Sequence, residues 1–162
     1  VFGLNNGITP IIAYNYGAQS RERVVSAIRH VVTYAVIVML LGLAAFQLLP
    51  RQLLLMFDAS ETMLALGIPA LRIISLSFVL ASFGVAASGA FQALGKSIYS
   101  MYVSVARQLV VLLPAAFLLA QTGRVELVWW AFPIAELVSF AMSVIFMVHI
   151  NRKIISKIGK KS

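Results

Sequence analysis

Apolar residues form five long runs along the chain, and the charged residues stand mainly between these runs or after the last one. A bilayer core of about 30 Å is crossed by about 20 helical residues, which rise about 1.5 Å each. The runs lack the polar-apolar alternation of β-barrel strands, so helices are the structure that satisfies their backbone in lipid. The predicted spans are residues 1-18, 31-49, 68-91, 99-120 and 127-150. The pattern therefore predicts an all-α, polytopic transmembrane helix bundle over residues 1-150, followed by a basic tail over 151-162.

Two features of the third span carry structural predictions. Pro69 predicts a bend near the start of the span, because proline removes a helical hydrogen bond. A face of small residues follows at helical spacing, at Ser82, Ala86 and Ala90. Small residues let membrane helices approach closely. Two interpretations stay open for this face: tight packing inside the bundle, or a sliding surface in a transporter that moves.

The amino-acid composition strengthens the membrane prediction. Hydrophobic residues make up 61% of the chain and charged residues 11%, and the mean hydropathy is +0.96. A soluble domain carries about 25% charged residues. There are no cysteines, which excludes disulfides, thiolate metal sites and cysteine nucleophiles. Residue 1 is Val in an apolar run rather than Met before a signal peptide, so we expect a fragment of a longer protein.

The positive charge indicates orientation rather than nucleic-acid binding, because the cations lie at span ends and in the tail. With alternating spans, one side of the membrane receives nine cations: Arg21, Arg23, Arg29, Lys96, Arg152, Lys153, Lys157, Lys160 and Lys161. The other side receives two cations and three acids: Arg51, Arg124, Asp58, Glu61 and Glu126. Cytoplasmic segments are enriched in Lys and Arg. The charges therefore predict a multi-pass protein of the cell (plasma or inner) membrane with a cytoplasmic C-terminus.

Two ionisable residues lie deep in the predicted spans, where charge is costly and marks candidate sites. Glu136 lies about 14 Å from the outer end of the fifth span, and Arg107 lies about 10 Å from the inner end of the fourth. Glu136 is either a carboxylate that handles protons or cations, or a paired structural charge. Arg107 is either its partner or a side chain that extends to the inner headgroups.

The first span is unusually polar, with Asn5, Asn6 and Asn15 on either side of Pro10. Pro10 also removes one backbone donor. We therefore expect this helix to line a polar cavity or to pack centrally rather than to face lipid. The sequence has no paired metal-ligand histidines, no Gly-x-Ser-x-Gly and no phosphate-binding loop, so we expect neither an enzyme nor a resident cofactor or metal.

One segment of the first span carries a family signature. The stretch Gly3-Leu-Asn-Asn-Gly-Ile-Thr-Pro-Ile-Ile-Ala-Tyr-Asn-Tyr-Gly-Ala18, followed by Arg23, resembles the eighth helix of the multidrug and toxic compound extrusion (MATE) family. Gly89-Ala-Phe-Gln-Ala-Leu-Gly-Lys96 looks like the junction after the tenth helix of that family. Arg107-Gln with Pro114 resembles the eleventh helix, and Pro133-Ile-Ala-Glu136 the start of the twelfth. The resemblance covers essentially the whole chain, as helices eight to twelve of twelve.

This resemblance implies secondary active efflux of small amphipathic, often cationic drugs, driven by entry of Na+ or H+ as the coupling ion. It implies two six-helix lobes that rock between inward-open and outward-open states. The chain would then lack the N-lobe and the seventh helix. Some family members place a coupling carboxylate on the tenth helix, and residues 64-91 contain no Asp or Glu. Coupling would then rest on acids of the N-lobe or on Glu136.

The predicted pathway residues come from the polar first span, the family-like segments and the deep charges. They are Asn5, Asn6, Pro10, Tyr14, Asn15, Gln92, Arg107 and Glu136. The expected partners are membrane lipid, small amphipathic drugs and the N-lobe of the same polypeptide, with no nucleic acid. Two alternatives stay open, which are a lipid or polysaccharide flippase of the same superfamily and a non-transporting membrane assembly subunit.

Overall fold

The computed structural model describes residues 2–159, and within that range the chain consists of helices and turns without strands. This confirms the all-α prediction. Val1 of the first predicted span, and Lys160, Lys161 and Ser162 of the tail, lie outside the described residues. The helices are α1 (Phe2–Gly17), α2 (Arg21–Leu48), α3 (Pro50–Leu55), α4 (Glu61–Ser75), α5 (Phe78–Ala93), α6 (Ser97–Val105), a π-helical segment (Ala106–Leu112), α7 (Leu113–Ala120), α8 (Val125–Val128), α9 (Ala131–Lys153) and a 3₁₀ turn (Ile155–Lys157).

Several helical stretches are long and apolar enough to cross a bilayer. Among the described residues, three continuous stretches qualify: Arg21–Leu48, Ser97–Ala120 and Val125–Lys157. A fourth is formed if the bent pair α4 and α5 is counted as one span. Helix α1 has 16 residues and is shorter than these. The prediction of a polytopic transmembrane helix bundle is therefore confirmed.

The bend in the third span does not lie at Pro69, and that prediction is wrong. Helix α4 continues through Pro69 to its end at Ser75, and the 53° bend between α4 and α5 falls at Leu76 and Ser77. The N–H groups of Leu76 and Ser77 bond to carbonyls only three residues back, at 3.3 and 3.0 Å. The Ser77 hydroxyl also donates to the carbonyl of Ile74, at 2.6 Å. Pro69 removes a single backbone hydrogen bond from the helix. At Ser77 several hydrogen bonds to the backbone carbonyls are rearranged together, and this bends a helix more than the loss of one bond does.

The fourth span changes its helical pitch in the middle. Between α6 and α7, residues Ala106–Leu112 form π-helical turns, and Pro114 follows directly in the first turn of α7. A proline cannot donate to the carbonyl four residues back, and its ring presses against that carbonyl. The wider π turn is one way to accommodate this, and such turns are frequent at functional sites. This one carries Arg107.

Helix α5 is the centre of the bundle and contacts α1, α2, α6 and α9. Ser82, Ala86 and Ala90 on its small-residue face are between 0% and 1% exposed. The tight-packing interpretation of this face is therefore confirmed, while the sliding-surface interpretation stays a prediction. The core continues through Phe91 and Ile12, which are fully buried.

The C-terminal segment is only partly a free tail. Helix α9 continues to Lys153, three residues past the predicted end of the span. The following turn then folds back, so that Ile155 and Ile158 are 2% and 5% exposed and belong to the core. The N–H of Gly159 donates to the Gln19 side chain at 3.3 Å, which ties the segment to the α1–α2 turn.

Candidate functional site

A polar cavity of about 290 Å³ lies between α1, α5, α9 and the helix that runs from α6 into the π-helical segment. We call it the polar chamber. Its walls include Ala81, Gly84, Val85 and Val103. Its polar lining consists of Asn5, Asn6, Ser88, Gln92, Ser100, Ser104, Arg107, Glu136 and Ser139. A polar cavity of this kind, inside an otherwise apolar bundle, is the main candidate for a ligand pathway.

The ion pair of the polar chamber joins two helices. Arg107 Nη1 donates to Glu136 Oε1 at 2.7 Å, a distance typical of a charge-assisted hydrogen bond. The side chain of Arg107 is 37% exposed and that of Glu136 is 13% exposed. The interpretation that Arg107 is the partner of Glu136 is therefore confirmed, and Arg107 does not extend to the headgroups. The pair leaves the charged lining of the chamber with no net charge.

Asn5 lies against α5 at the wall of the chamber. Its Nδ2 donates to the carbonyl of Val85 at 3.0 Å, while its Oδ1 is buried without a partner among the described residues. A Cβ at Gly89 would lie 2.5 Å from Cγ and Nδ2 of Asn5, and closer still to Oδ1. Only glycine therefore leaves room for the carboxamide at this point. The Oδ1 is thus a buried acceptor that packs against Gly89.

A second polar group connects α5 to α6. The hydroxyls of Ser88 and Ser100 are hydrogen-bonded to each other. Gln92 Nε2 donates to Ser88 Oγ at 3.3 Å and to Ser100 Oγ at 3.4 Å. These contacts bring Gln92, predicted from the family-like segment, to the chamber together with Ser88 and Ser100, which were not predicted as pathway residues.

The serines of the chamber, which were not predicted, follow a spacing pattern that could have identified them. Ser88 lies four residues before the predicted Gln92, and Ser100 lies four residues before Ser104, so each pair shares one helix face. Ser139 is likewise three residues after the deep acid of α9. Polar residues at this spacing in an apolar run mark the face that avoids lipid. No sequence pattern identifies Gly89, because the close contact that requires a glycine there comes from Asn5 in another helix.

Three predicted pathway residues do not line the chamber. Tyr14 is 75% exposed, and Pro10 is exposed on the same helix. Asn15 is only 8% exposed, but its Nδ2 donates to the carbonyl of Ile11 in its own helix at 2.8 Å. The structure thus brings five of the eight predicted residues together, and a pathway role for Pro10, Tyr14 and Asn15 stays a prediction. Within residues 2–159, no three His, Asp or Glu side chains stand close enough to hold a metal ion.

Comparison with protein-family models identifies the family of this chain. The family model MatE matches residues 1–118, well over half of the chain. The chain belongs to the MatE family. Members of this family are transporters, not enzymes, and this chain is accordingly part of a multi-pass membrane transporter. No curated protein matches the sequence.

Solved structures support the same family. The MATE multidrug transporter DinF-BH, determined in complex with a ligand, is 30% identical with a TM-score of 0.85, over 93% of this chain and 34% of that one. An inward-facing multidrug resistance MATE transporter is 23% identical with a TM-score of 0.82, over 98% of this chain and 36% of that one. An outward-facing one is 24% identical with a TM-score of 0.82, over 99% and 35%. The chain thus spans about a third of each relative.

Proposed function

We propose that the full-length MatE protein exports small amphipathic, often cationic compounds across the cell membrane in exchange for Na+ or H+. In this proposal the chain supplies one wall of the transport pathway. Two relatives of the same fold are described as multidrug resistance transporters, and a third, described as a multidrug transporter, was determined in complex with a ligand. These likenesses support the class of activity, while the substrate and the coupling ion belong to the proposal.

The polar chamber is the observation that carries the proposal. A cavity of about 290 Å³ is lined by amides, hydroxyls and one ion pair, in a chain of which 61% is hydrophobic. Polar groups within a membrane bundle cost free energy unless they are paired or hydrated, so a polar cavity there is a candidate pathway. The amides and hydroxyls of the lining offer hydrogen-bond acceptors, and the ion pair adds no net positive charge that would repel a cation. These groups support passage of a cationic compound along this wall.

The charge balance of the chamber supports drug export over the flippase alternative. Recognition of a lipid or sugar phosphate needs cations that are free to bind it. Within the described part of the chain, Arg107 is the one cation that lines the chamber, and it is already paired with Glu136 at 2.7 Å. A phosphate would therefore have to displace a carboxylate that is already in place.

The two conformations of the relatives bear on how the pathway opens. The chain matches an inward-facing and an outward-facing relative with the same TM-score, 0.82. One fold of this part is therefore compatible with both states. This supports a mechanism in which the lobe moves largely as one body against the rest of the transporter.

The proposed orientation places the C-terminus in the cytoplasm, as the cation-rich segments favour. Single cysteines introduced in the full-length protein at Ser97 and Thr122, which are both exposed, test it directly. We expect a membrane-impermeant thiol reagent, added outside intact cells, to label the cysteine at 122 and not the one at 97. The reverse pattern would contradict the orientation without affecting the proposed transport.

Efflux of fluorescent cationic dyes from cells that make the full-length protein tests the function. We expect efflux driven by a Na+ or a proton gradient. Glu136→Gln and Arg107→Gln should each reduce it, because each leaves a charge without its partner. The double exchange Arg107→Glu with Glu136→Arg should partly restore efflux, and Glu126→Gln, at an exposed acid, is the matched control.

Each outcome of the efflux experiment has a defined meaning. Absence of efflux for several dyes under both gradients, with the protein present in the membrane, would overturn the proposed function. If the losses of efflux in Arg107→Gln and Glu136→Gln add up in a variant that carries both changes, the pair does not act as a unit. Full loss of ion dependence in Glu136→Gln would place coupling at Glu136, whereas retained dependence would place it outside this chain.

A further inference from the structure

Besides the polar chamber, two contiguous cavities lie on the surface of the bundle at its basic end. An apolar groove of about 230 Å³ runs between α2 and the end of α9. It is lined by Val25, Ile28, Met147, Val148, Asn151 and Ile155. Val25, Ile28 and Met147 are half-buried and pack against the hydrophobic core, while Val148 remains 45% exposed at the edge. The floor of the groove is therefore fixed, and its mouth is open.

A shallow basic recess on one face of the first turns of α2, open to solvent, continues the groove. It is lined by Arg21, Glu22, Val25, Ser26, Arg29 and His30. Val25 belongs to both cavities, so the two are contiguous. Arg21 and Arg29 stand four residues before and after Val25, on one face of the helix. Among the described residues neither arginine is part of an ion pair, and Glu22 is the single acid in the recess.

The position of these cavities along the membrane normal follows from the length of α2. The helix has 28 residues, which corresponds to about 42 Å, against about 30 Å for the bilayer core. The predicted span begins at residue 31, so the turns that carry Arg21 and Arg29 lie at the level of the headgroups. Met147 and Val148 lie inside the predicted fifth span, and Asn151 just beyond it. The recess and the α2 side of the groove thus lie at the level of the headgroups, and the groove reaches the acyl-chain region at Met147 and Val148.

We propose that the groove and the recess together bind one anionic phospholipid. Its phosphate lies between Arg21 and Arg29, and the upper part of an acyl chain lies in the apolar groove. Guanidinium groups form strong, often bidentate hydrogen bonds to phosphate, and basic clusters at the membrane surface attract anionic lipids. A free phosphate ion would leave the apolar groove empty. A zwitterionic lipid would bring an ammonium group to a recess that is already cationic.

Native mass spectrometry of the purified, delipidated full-length protein tests this site. The probes are dioleoylphosphatidylglycerol and dioleoylphosphatidylcholine, which share their acyl chains and differ in headgroup charge. We expect tighter binding of the first phosphatidylglycerol molecule than of phosphatidylcholine. The double variant Arg21→Gln with Arg29→Gln should weaken phosphatidylglycerol binding by at least about tenfold and leave phosphatidylcholine unchanged. Retained phosphatidylcholine binding also shows that the variant is folded.

Two further variants separate the parts of the site. Arg51→Gln with Arg124→Gln removes the same charge from the other end of the bundle, and phosphatidylglycerol binding should not change. Val148→Trp fills the groove without changing charge and should weaken phosphatidylglycerol binding as well; it carries the test if the arginine variant does not fold.

Several results would overturn the proposal. Equal binding of both lipids by the unchanged protein would mean that the recess does not select an anionic headgroup. Equal losses in the two double arginine variants would mean that only overall charge attracts the lipid. Competition by millimolar glycerol phosphate that removes the bound lipid would indicate a site for a free phosphate instead. Unchanged binding in Val148→Trp would exclude the groove as the acyl-chain site.

Discussion

Substitution of Gly89 by alanine is the sharpest test of how the polar chamber is built. Gly89 lies on buried α5 where the carboxamide of Asn5 approaches from α1, and an added Cβ would lie 2.5 Å from Asn5 Cγ. The side chain of Asn5 would have to move away and lose its 3.0 Å hydrogen bond to the Val85 carbonyl. The change therefore separates α1 from α5 at the wall of the chamber.

The magnitude follows from three contributions. Loss of the buried hydrogen bond costs about 1–3 kcal/mol, and overpacking costs about another 1–3 kcal/mol. Alanine in place of glycine inside a helix returns about 0.5–1 kcal/mol. Gly84 is a matched control on the same helix, because a Cβ there would lie an ordinary 3.5 Å from Ser139 Oγ. The two alanine variants should therefore differ by at least about 2 kcal/mol in stability.

Thermal unfolding of the full-length protein in detergent micelles measures this difference. We expect a lower midpoint for Gly89→Ala than for the unchanged protein, and an equal or higher midpoint for Gly84→Ala. Adding Asn5→Ala to Gly89→Ala removes the clash, so the double variant should be more stable than additivity of the two single changes predicts. Equal midpoints for the two glycine variants, or strict additivity with Asn5→Ala, would refute the close contact between α1 and α5.

Three further changes test other parts of the fold by comparable measurements. Gln47→Leu removes two hydrogen bonds from α2 to the end of α4, and should lower stability by about 1–2 kcal/mol, whereas the exposed Gln52→Leu should not. Gly159→Ala should expose the C-terminal segment to limited proteolysis, because Gly159 has a φ of 74° and a Cβ there would lie 3.1 Å from the Gln19 carbonyl. Deletion of Val110, which faces outward, should convert the π-helical turns into regular α-helix without turning the two halves of the fourth span relative to each other, so the ion pair of the chamber and efflux should be retained; loss of efflux would mean that the π turns themselves are required.

The ion pair was one of the two interpretations of Arg107 that the sequence left open, because depth limits the partners of a buried charge. Arg107 was placed about 10 Å from one face and Glu136 about 14 Å from the other, so both were expected near the middle of a core about 30 Å thick. Each charge needs a partner there, and few other ionisable groups lie at that depth. The small number of ionisable groups at this depth explains why Arg107 and Glu136 pair, at 2.7 Å.

The bend and the lining of the chamber were harder to predict, because they depend on contacts between helices. Pro69 was the obvious local signal for a bend, yet the bend falls at Ser77, where hydroxyl and backbone donors compete for the same carbonyls. Likewise, Gly89 has meaning only through Asn5, which lies 84 positions earlier in the sequence. A single sequence shows local propensity and span depth, but not which faces of two helices meet.

The π-helical segment explains how the fourth span can present Arg107 to the chamber and still pack along its whole length. The less exposed residues of this span are Val103, Ala106, Arg107, Val111, Leu112, Ala115, Ala116 and Leu119. From Val103 to Leu119 they recur about every four positions on average, whereas a regular helix repeats every 3.6 residues, so this spacing drifts by about 40° at each step. Wider π turns between Ala106 and Leu112 absorb part of this drift and leave Pro114 facing outward. Because residues 109–120 are all apolar, the sequence hides this change of period in the second half of the span, and the position of the charged pair depends on it.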